Sequence, residues 1–174
     1  VNLTLLFAPE HGVRGNLAAG KKVPGGRDSR TGLPVRSLYG GNDHRPDKVD
    51  LAKIDTIIYD IQDTGCRAYT YIWTLAEVMA AAGVYGKRVI VFDRPDPFGG
   101  KVVDGPVTEK NFLSFIGLYP IPRVYGMTVG ELALYLNREH NLNCHLTVIP
   151  MHNYRRGMRF EQTGLPWIPT SPRI

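Results

Sequence analysis

Three short strings carry most of the chain's chemically useful side chains: Pro9-Glu10-His11-Gly12, Asp60-Ile61-Gln62-Asp63 and Asp93-Arg94-Pro95-Asp96. Each directly follows an apolar run. Carboxyl groups set apart in environment are the working parts of general acid–base chemistry, because one can hold a proton while another stays charged. In the first string a carboxylate adjoins a histidine, the side chain that titrates near neutral pH. The other reading is structural: these acids cap helices or pair with Arg14, Arg67 and Arg94. His11, Asp60 and Asp63 are metal-ligand types, but no second close histidine and no D-x-D-x-[DN]-G loop accompanies them, so no metal is expected.

Other chemistries lack their motifs. There is no G-x-x-x-x-G-K-[ST] loop for a nucleotide phosphate, and no G-x-G-x-x-G follows a strand-like run, so no cofactor is expected. Ser37 and Ser114 stand outside any G-x-S-x-G elbow.

The acids need elements to position them, and apolar spacing supplies these. Apolar runs predict strands near 3–8, 56–61, 88–92 and 145–149. Ile72, Leu75, Ala76, Met79 and Ala82 follow helical spacing over about 70–82, with Gly83 as the stop. Val129, Leu132, Ala133 and Leu136 do the same over about 128–139. A short helix is also read within 47–54. Between 10 and 47 the sequence is rich in Gly, Arg, Lys and Pro, and a loop so long is functional or carries small elements of its own. Strands alternating with helices predict an α/β fold, Rossmann-like, with a mostly parallel sheet and helices on both faces. In such sheets ligands bind beyond the carboxyl ends of the strands, so Glu10, Asp60 and Asp93 are expected on one edge. Thr128-x-x-Glu131 has the form of a capping box, and that role is set ahead of catalysis for Glu131.

Composition agrees with a folded domain. In 174 residues, 43% are apolar and 21% charged, enough for a core without staples. No apolar run approaches the roughly 20 residues of a membrane span. The formal charge of +5 is scattered, with small clusters at Lys21-Lys22 and Arg155-Arg156, and no nucleic-acid partner is expected. Two cysteines, Cys66 and Cys144, leave the redox compartment open. The opening residues lack the charged start and cleavage site of a signal peptide.

Six strings occur in one order: FAPEHGVRG (7–15), TGLPVRSLYG (31–40), YDIQDTGCRAYTYI (59–72), FDRPDPFGG (92–100), YGMTVGELA (125–133) and LPWIPTSP (165–172). Together they resemble the peptidoglycan exo-β-N-acetylmuramidases, a glycoside hydrolase family. The resemblance spans nearly the whole chain. It implies a Rossmann-like N-terminal catalytic domain over 1–174, with a strand before Val1 and a second α/β domain belonging to the longer protein. It also implies release of N-acetylmuramic acid from the non-reducing ends of peptidoglycan fragments, in the periplasm or outside the cell.

On that resemblance Glu10 is the leading catalytic candidate, as a general acid whose pKa partial burial would raise. His11 would orient substrate or tune Glu10, and Glu131, Asp60 and Asp63 compete for the second catalytic place. Asp60, Gln62, Asp63, Arg67, Tyr69, Asp93 and Arg94 are the candidate substrate contacts, with Arg67 offered to the lactyl carboxylate and Tyr69 or Tyr71 to a sugar face. The alternative is a non-catalytic cell-wall glycan-binding domain that keeps the cleft. Two positions depart from the family pattern: Tyr125 stands where a histidine is usual, and Ser171-Pro172-Arg173 replaces a P-S-P-N ending.

Overall fold

The computed structural model describes residues 2–41 and 43–172; Arg173, one of the two departures from the family pattern, lies outside them. Strand β1 (Leu6–Ala8) is followed by β2 (Gly26–Arg27), β3 (Pro34–Ser37) and the short helix α1 (Lys48–Leu51). Then come β4 (Thr56–Tyr59), α2 (Tyr71–Val84), β5 (Arg88–Phe92), β6 (Val103–Asp104), β7 (Val124–Tyr125), α3 (Val129–Glu139) and β8 (His145–Ile149). Single 3-10 turns lie at Lys110–Phe112 and Phe160–Thr163.

The main sheet is parallel, in the order β4-β5-β8, with Ile57 opposite Val89 and Val89 opposite Leu146. A second sheet runs β1-β3-β2, with β1 parallel and β2 antiparallel to β3. The α/β class and the parallel-rich sheet follow the sequence pattern. Strand β3 was hidden in it, because Pro34 opens the strand and Arg36 faces solvent, leaving Val35 as its one buried residue.

Helices α2 and α3 share one core with Ile57, Tyr59, Val89 and Val91. Each of those side chains, fully buried, is worth roughly 1.5–3 kcal/mol. The two crossovers step across the sheet in the same direction, so helices of one handedness land on the same face. The expected second helical layer is therefore not supplied by residues 2–172. Ile58, Phe92 and Ile149 on the other face stay 42%, 39% and 43% exposed. Helix α2 is buried nearly all round, since the 98–127 excursion crosses its outer side with Tyr119, Ile121 and Tyr125.

Strand β1 is shorter than the run from Leu3 predicts. It pairs with β3 on one edge only, β4 pairs with β5 on one edge only, and a slot of about 820 Å³ separates the two open edges. Leu5 and Phe7 line one side of it, Ile58 and Tyr59 the other, and Ile168 to Thr170 border it.

The stop of α2 also differs from the expectation. Gly83 lies inside the helix, and the chain turns at Gly86, whose φ is 63°, with the Lys87 N–H donating to the Ala82 carbonyl at 2.8 Å. Gly83 is glycine for a packing reason: a Cβ there would sit 2.0 Å from the Leu142 carbonyl oxygen, where the chain enters β8. Helix propensity alone favours alanine by about 1 kcal/mol. The overlap should reverse that sign, so Gly83→Ala in the full-length protein is expected to cost roughly 1–3 kcal/mol. Thermal melting checks this, and a stabilised variant would refute the close approach.

Candidate active site

Because β4 and β5 are parallel neighbours, Asp60 and Asp93 leave the sheet at the same edge. Helix α2 starts just beyond that edge. Glu10, at the end of β1, reaches its start, where Oε2 accepts from the Thr70 hydroxyl at 2.7 Å. The three strand ends thus open on one side of the molecule.

Glu10 is buried, and its second oxygen, Oε1, accepts from the Gly20 N–H at 2.8 Å. The Tyr39 hydroxyl, two residues beyond β3, turns to the same carboxylate. Burial pushes the Glu10 carboxyl up, but Thr70, Gly20, Tyr39 and the charge of His11 outweigh it and hold the group below its ordinary value. This reverses the expectation of a raised pKa: Glu10 is ionised at neutral pH. Its presence in turn pushes Tyr39 up to about 12, on top of the effect of burial. His11 adopts φ of 69°, and its Nδ1 lies 2.8 Å from the Leu17 carbonyl, so the imidazole is fixed to its own loop. It meets the Tyr71 ring edge-on at 6.2 Å.

Asp60 is exposed and pairs with Arg94, whose Nε and Nη2 donate to Oδ1 at 2.9 and 2.5 Å. Gln62 donates to the Asp63 and Pro95 carbonyls at 2.7 and 2.9 Å, tying the loops after β4 and β5 together. Asp60, Gln62 and Arg94 border the slot between β1 and β4. These three remain reachable at the carboxyl edge.

The other predicted residues are committed to the fold. Asp93 accepts from the Gly130 N–H and the Thr128 hydroxyl, both at 2.8 Å, and so anchors the start of α3. Burial raises its carboxyl pKa against those bonds. Glu131 completes the capping box with Thr128 and pairs with Arg156 at 2.5 Å, as the sequence reading favoured. Arg67 ties the fold through one nitrogen: Nη1 donates to the Pro106 and Ile121 carbonyls at 2.7 and 2.6 Å, stapling the excursion that covers α2. Tyr69, half-buried, sits in the turn between Arg67 and Thr70. Among the described residues no three His, Cys, Asp or Glu side chains gather as metal ligands, and His11, Asp60 and Asp63 each have other partners.

Thr70, Tyr39 and Gly20 were missed as parts of the site. Tyr39 and Thr70 stand inside the strings TGLPVRSLYG and YDIQDTGCRAYTYI, but nothing in their spacing points at Glu10. Only the fold joins residues sixty apart.

Asp63 is buried behind this edge. Its Oδ2 accepts from the Gly65 N–H at 2.7 Å and from the Tyr125 hydroxyl, and Oδ1 has no partner. Burial pushes its carboxyl up to about 6, despite those bonds. The folded chain therefore binds this proton more tightly than the unfolded one. The stabilising contribution is full below about pH 4 and is lost as pH rises through about 6. The stability difference between wild type and Asp63→Asn should accordingly shift by on the order of 2 kcal/mol against wild type from pH 4 to pH 7. Urea unfolding at several pH values reads this, and a pH-independent difference would overturn it.

Comparison with known proteins now bears on this geometry. The chain is 47% identical over its full length to the peptidoglycan beta-N-acetylmuramidase NamZ of Bacillus subtilis (strain 168), covering 42% of that protein. A DUF1343 family protein of Bacteroides fragilis NCTC 9343 superposes with a TM-score of 0.89 at 49% identity, over 99% of this chain and 43% of that one. A second from the same organism gives 0.76 at 40% identity, over 91% and 42%. The chain thus spans less than half the length of these relatives. The family model described as exo-beta-N-acetylmuramidase NamZ, N-terminal, matches residues 1–174. With the six ordered strings and the shared fold, this chain belongs to the family of NamZ N-terminal domains.

Proposed function

We propose that residues 1–174 form one wall of the active cleft of an exo-acting glycoside hydrolase that releases N-acetylmuramic acid from the non-reducing ends of peptidoglycan fragments. The observation that carries the reading is Glu10: a buried, ionised carboxylate held at the carboxyl edge of the strands by the Gly20 N–H and the Thr70 hydroxyl, donors from two separate segments. Support for the substrate comes from the family and from the activity named for the Bacillus subtilis relative. A periplasmic or secreted location fits such a substrate. No helix among the described residues is long and apolar enough to cross one.

Hydrolysis breaks the bond from the anomeric carbon to the leaving oxygen, which needs a proton, while a water oxygen ends on the anomeric carbon. A carboxyl held below its ordinary pKa is a poor proton donor at neutral pH. Glu10 therefore acts as the charged member of the pair, on the side of the anomeric carbon, rather than as the acid first expected. Among the acids described, Asp63 is closed off by Tyr125, Asp60 is paired with Arg94, and Asp93 and Glu131 are engaged at α3. The proton for the leaving oxygen then comes from a carboxylic acid in the other wall of the cleft, the second α/β domain. Arg94, Gln62 and exposed Asp60 lie where substrate polar groups arrive. The slot between β1 and β4 is the place for one further strand of the longer protein, since both bordering strands offer an unpaired edge.

One observation favours the second reading, a glycan-binding domain without catalysis: both Glu10 oxygens already hold hydrogen bonds, as a purely structural carboxylate would. Glu10→Gln in the full-length protein separates the two. Turnover of an aryl β-muramide is expected to fall by about 100- to 10,000-fold, with binding and the fold kept and the melting point lowered, because one acceptor oxygen of Glu10 becomes an N–H. Near wild-type turnover in a normally folded Glu10→Gln protein would sink the catalytic role.

A further inference from the structure

Resting on the reading of Glu10 as the working carboxylate, we propose that Thr70 is a positioning residue for it. Thr70 does not cap the helix it precedes. It occupies the position before the first turn of α2, where a threonine hydroxyl ordinarily accepts from a backbone N–H of that turn. Thr128, in the same place on α3, does so, accepting from the Glu131 N–H at 3.2 Å with an extended ψ of 163°. Thr70 has ψ of −14° and makes no such bond. Its hydroxyl hydrogen goes instead to Glu10 Oε2 at 2.7 Å, in a buried contact. A helix that forgoes a cap gives up stability.

The contact also has directional content. A hydroxyl on one carboxylate oxygen and the Gly20 N–H on the other fix the plane of the group, because the two donors come from segments that cannot turn together. The groups facing Glu10 are His11 from its own loop, Tyr39 from beyond β3, and Tyr71 from the first turn of α2. Thr70 and Tyr39 are neutral donors, so they hold the carboxylate without sealing it in an ion pair. A guanidinium in their place would compete with water or the anomeric carbon for the same lone pairs. Orientation without neutralisation suits a carboxylate that must act on a neutral partner.

The alternative is that Thr70 only ties two parts of the fold together. Three full-length variants separate the roles: Thr70→Val keeps the shape and loses the donor, Thr70→Ser keeps the donor, and Tyr39→Phe removes the other hydroxyl. Two readouts are needed beside melting: titration of the Glu10 carboxyl by NMR, and the pH dependence of kcat and KM on an aryl β-muramide. With Thr70→Val the Glu10 titration and the acidic limb of the profile should both move up by about one pH unit. kcat should fall about 10- to 100-fold, with KM within about threefold. Thr70→Ser should restore both, and Tyr39→Phe should shift the titration in the same direction. Loss of kcat with an unmoved titration, or a Thr70→Ser protein as impaired as Thr70→Val, would overturn the positioning role, as would an unmoved titration in Tyr39→Phe. If Glu10→Gln stays active while Thr70→Val still moves the Glu10 titration, the catalytic reading fails and the coupling stands.

Discussion

The structure turns on one buried hydrogen bond, from the Thr70 hydroxyl to Glu10. The β1-β3-β2 sheet and the β4-β5-β8 sheet share no ladder of their own. Phe7 and Leu38 carry apolar contact from the first into the core of the second. Such contact is non-directional and fixes separation better than orientation. A charge-assisted bond in a buried setting contributes about 1.5–3 kcal/mol, and it has a direction. It sets the loop after β1 against the start of α2, and so against the carboxyl edge from which Asp60 and Arg94 project.

Acids crowd the three strand ends because two demands meet there. Parallel strands deliver their chains to one edge, where each must turn into a loop or helix whose first N–H groups lack partners. Asp93 meets that demand outright, bonding the Gly130 N–H and the Thr128 hydroxyl so that α3 starts directly over β5. Gly130 has to be glycine for this closeness, since a Cβ there would lie 2.8 Å from the Asp93 carboxyl and 2.6 Å from Val148. Glu10 meets no helix-capping demand of its own, and its partners come from outside its segment. Side chains of one type at equivalent strand ends thus divide into an architectural acid and a candidate chemical one.

That division explains what the sequence could reveal. The buried strands and amphipathic α3 were legible because burial on one face imposes a period. The common edge of Asp60 and Asp93 followed from parallel topology alone, whereas Glu10, on a separate sheet, is brought there by its bond to Thr70. The direction of the Glu10 pKa was not legible: burial was readable from the preceding apolar run, but the donors that outweigh it lie ten, 29 and sixty residues away. The structural tie made by Arg67 was hidden for a related reason. A guanidinium beside tyrosines has the composition of an anion site, yet its donors go to the Pro106 and Ile121 carbonyls of an excursion with little periodicity of its own.

The departure at Tyr125 takes its meaning from the same competition between burial and donors. The phenol on β7 donates to Asp63, in a core shared with Tyr59, whose own hydroxyl has no partner. A phenol is a neutral donor. It lowers the cost of a buried carboxylate without cancelling its charge, and the Asp63 carboxyl remains raised to about 6. An imidazole at this position would be able to take the proton itself and leave an ion pair, with a larger pull on Asp63. A histidine at this position would therefore act on the protonation of a closed acid behind the strand ends. Glu10 has a separate set of donors, and Tyr125 is not among them. The surroundings of Glu10 are the part of the domain that a change at Tyr125 leaves intact.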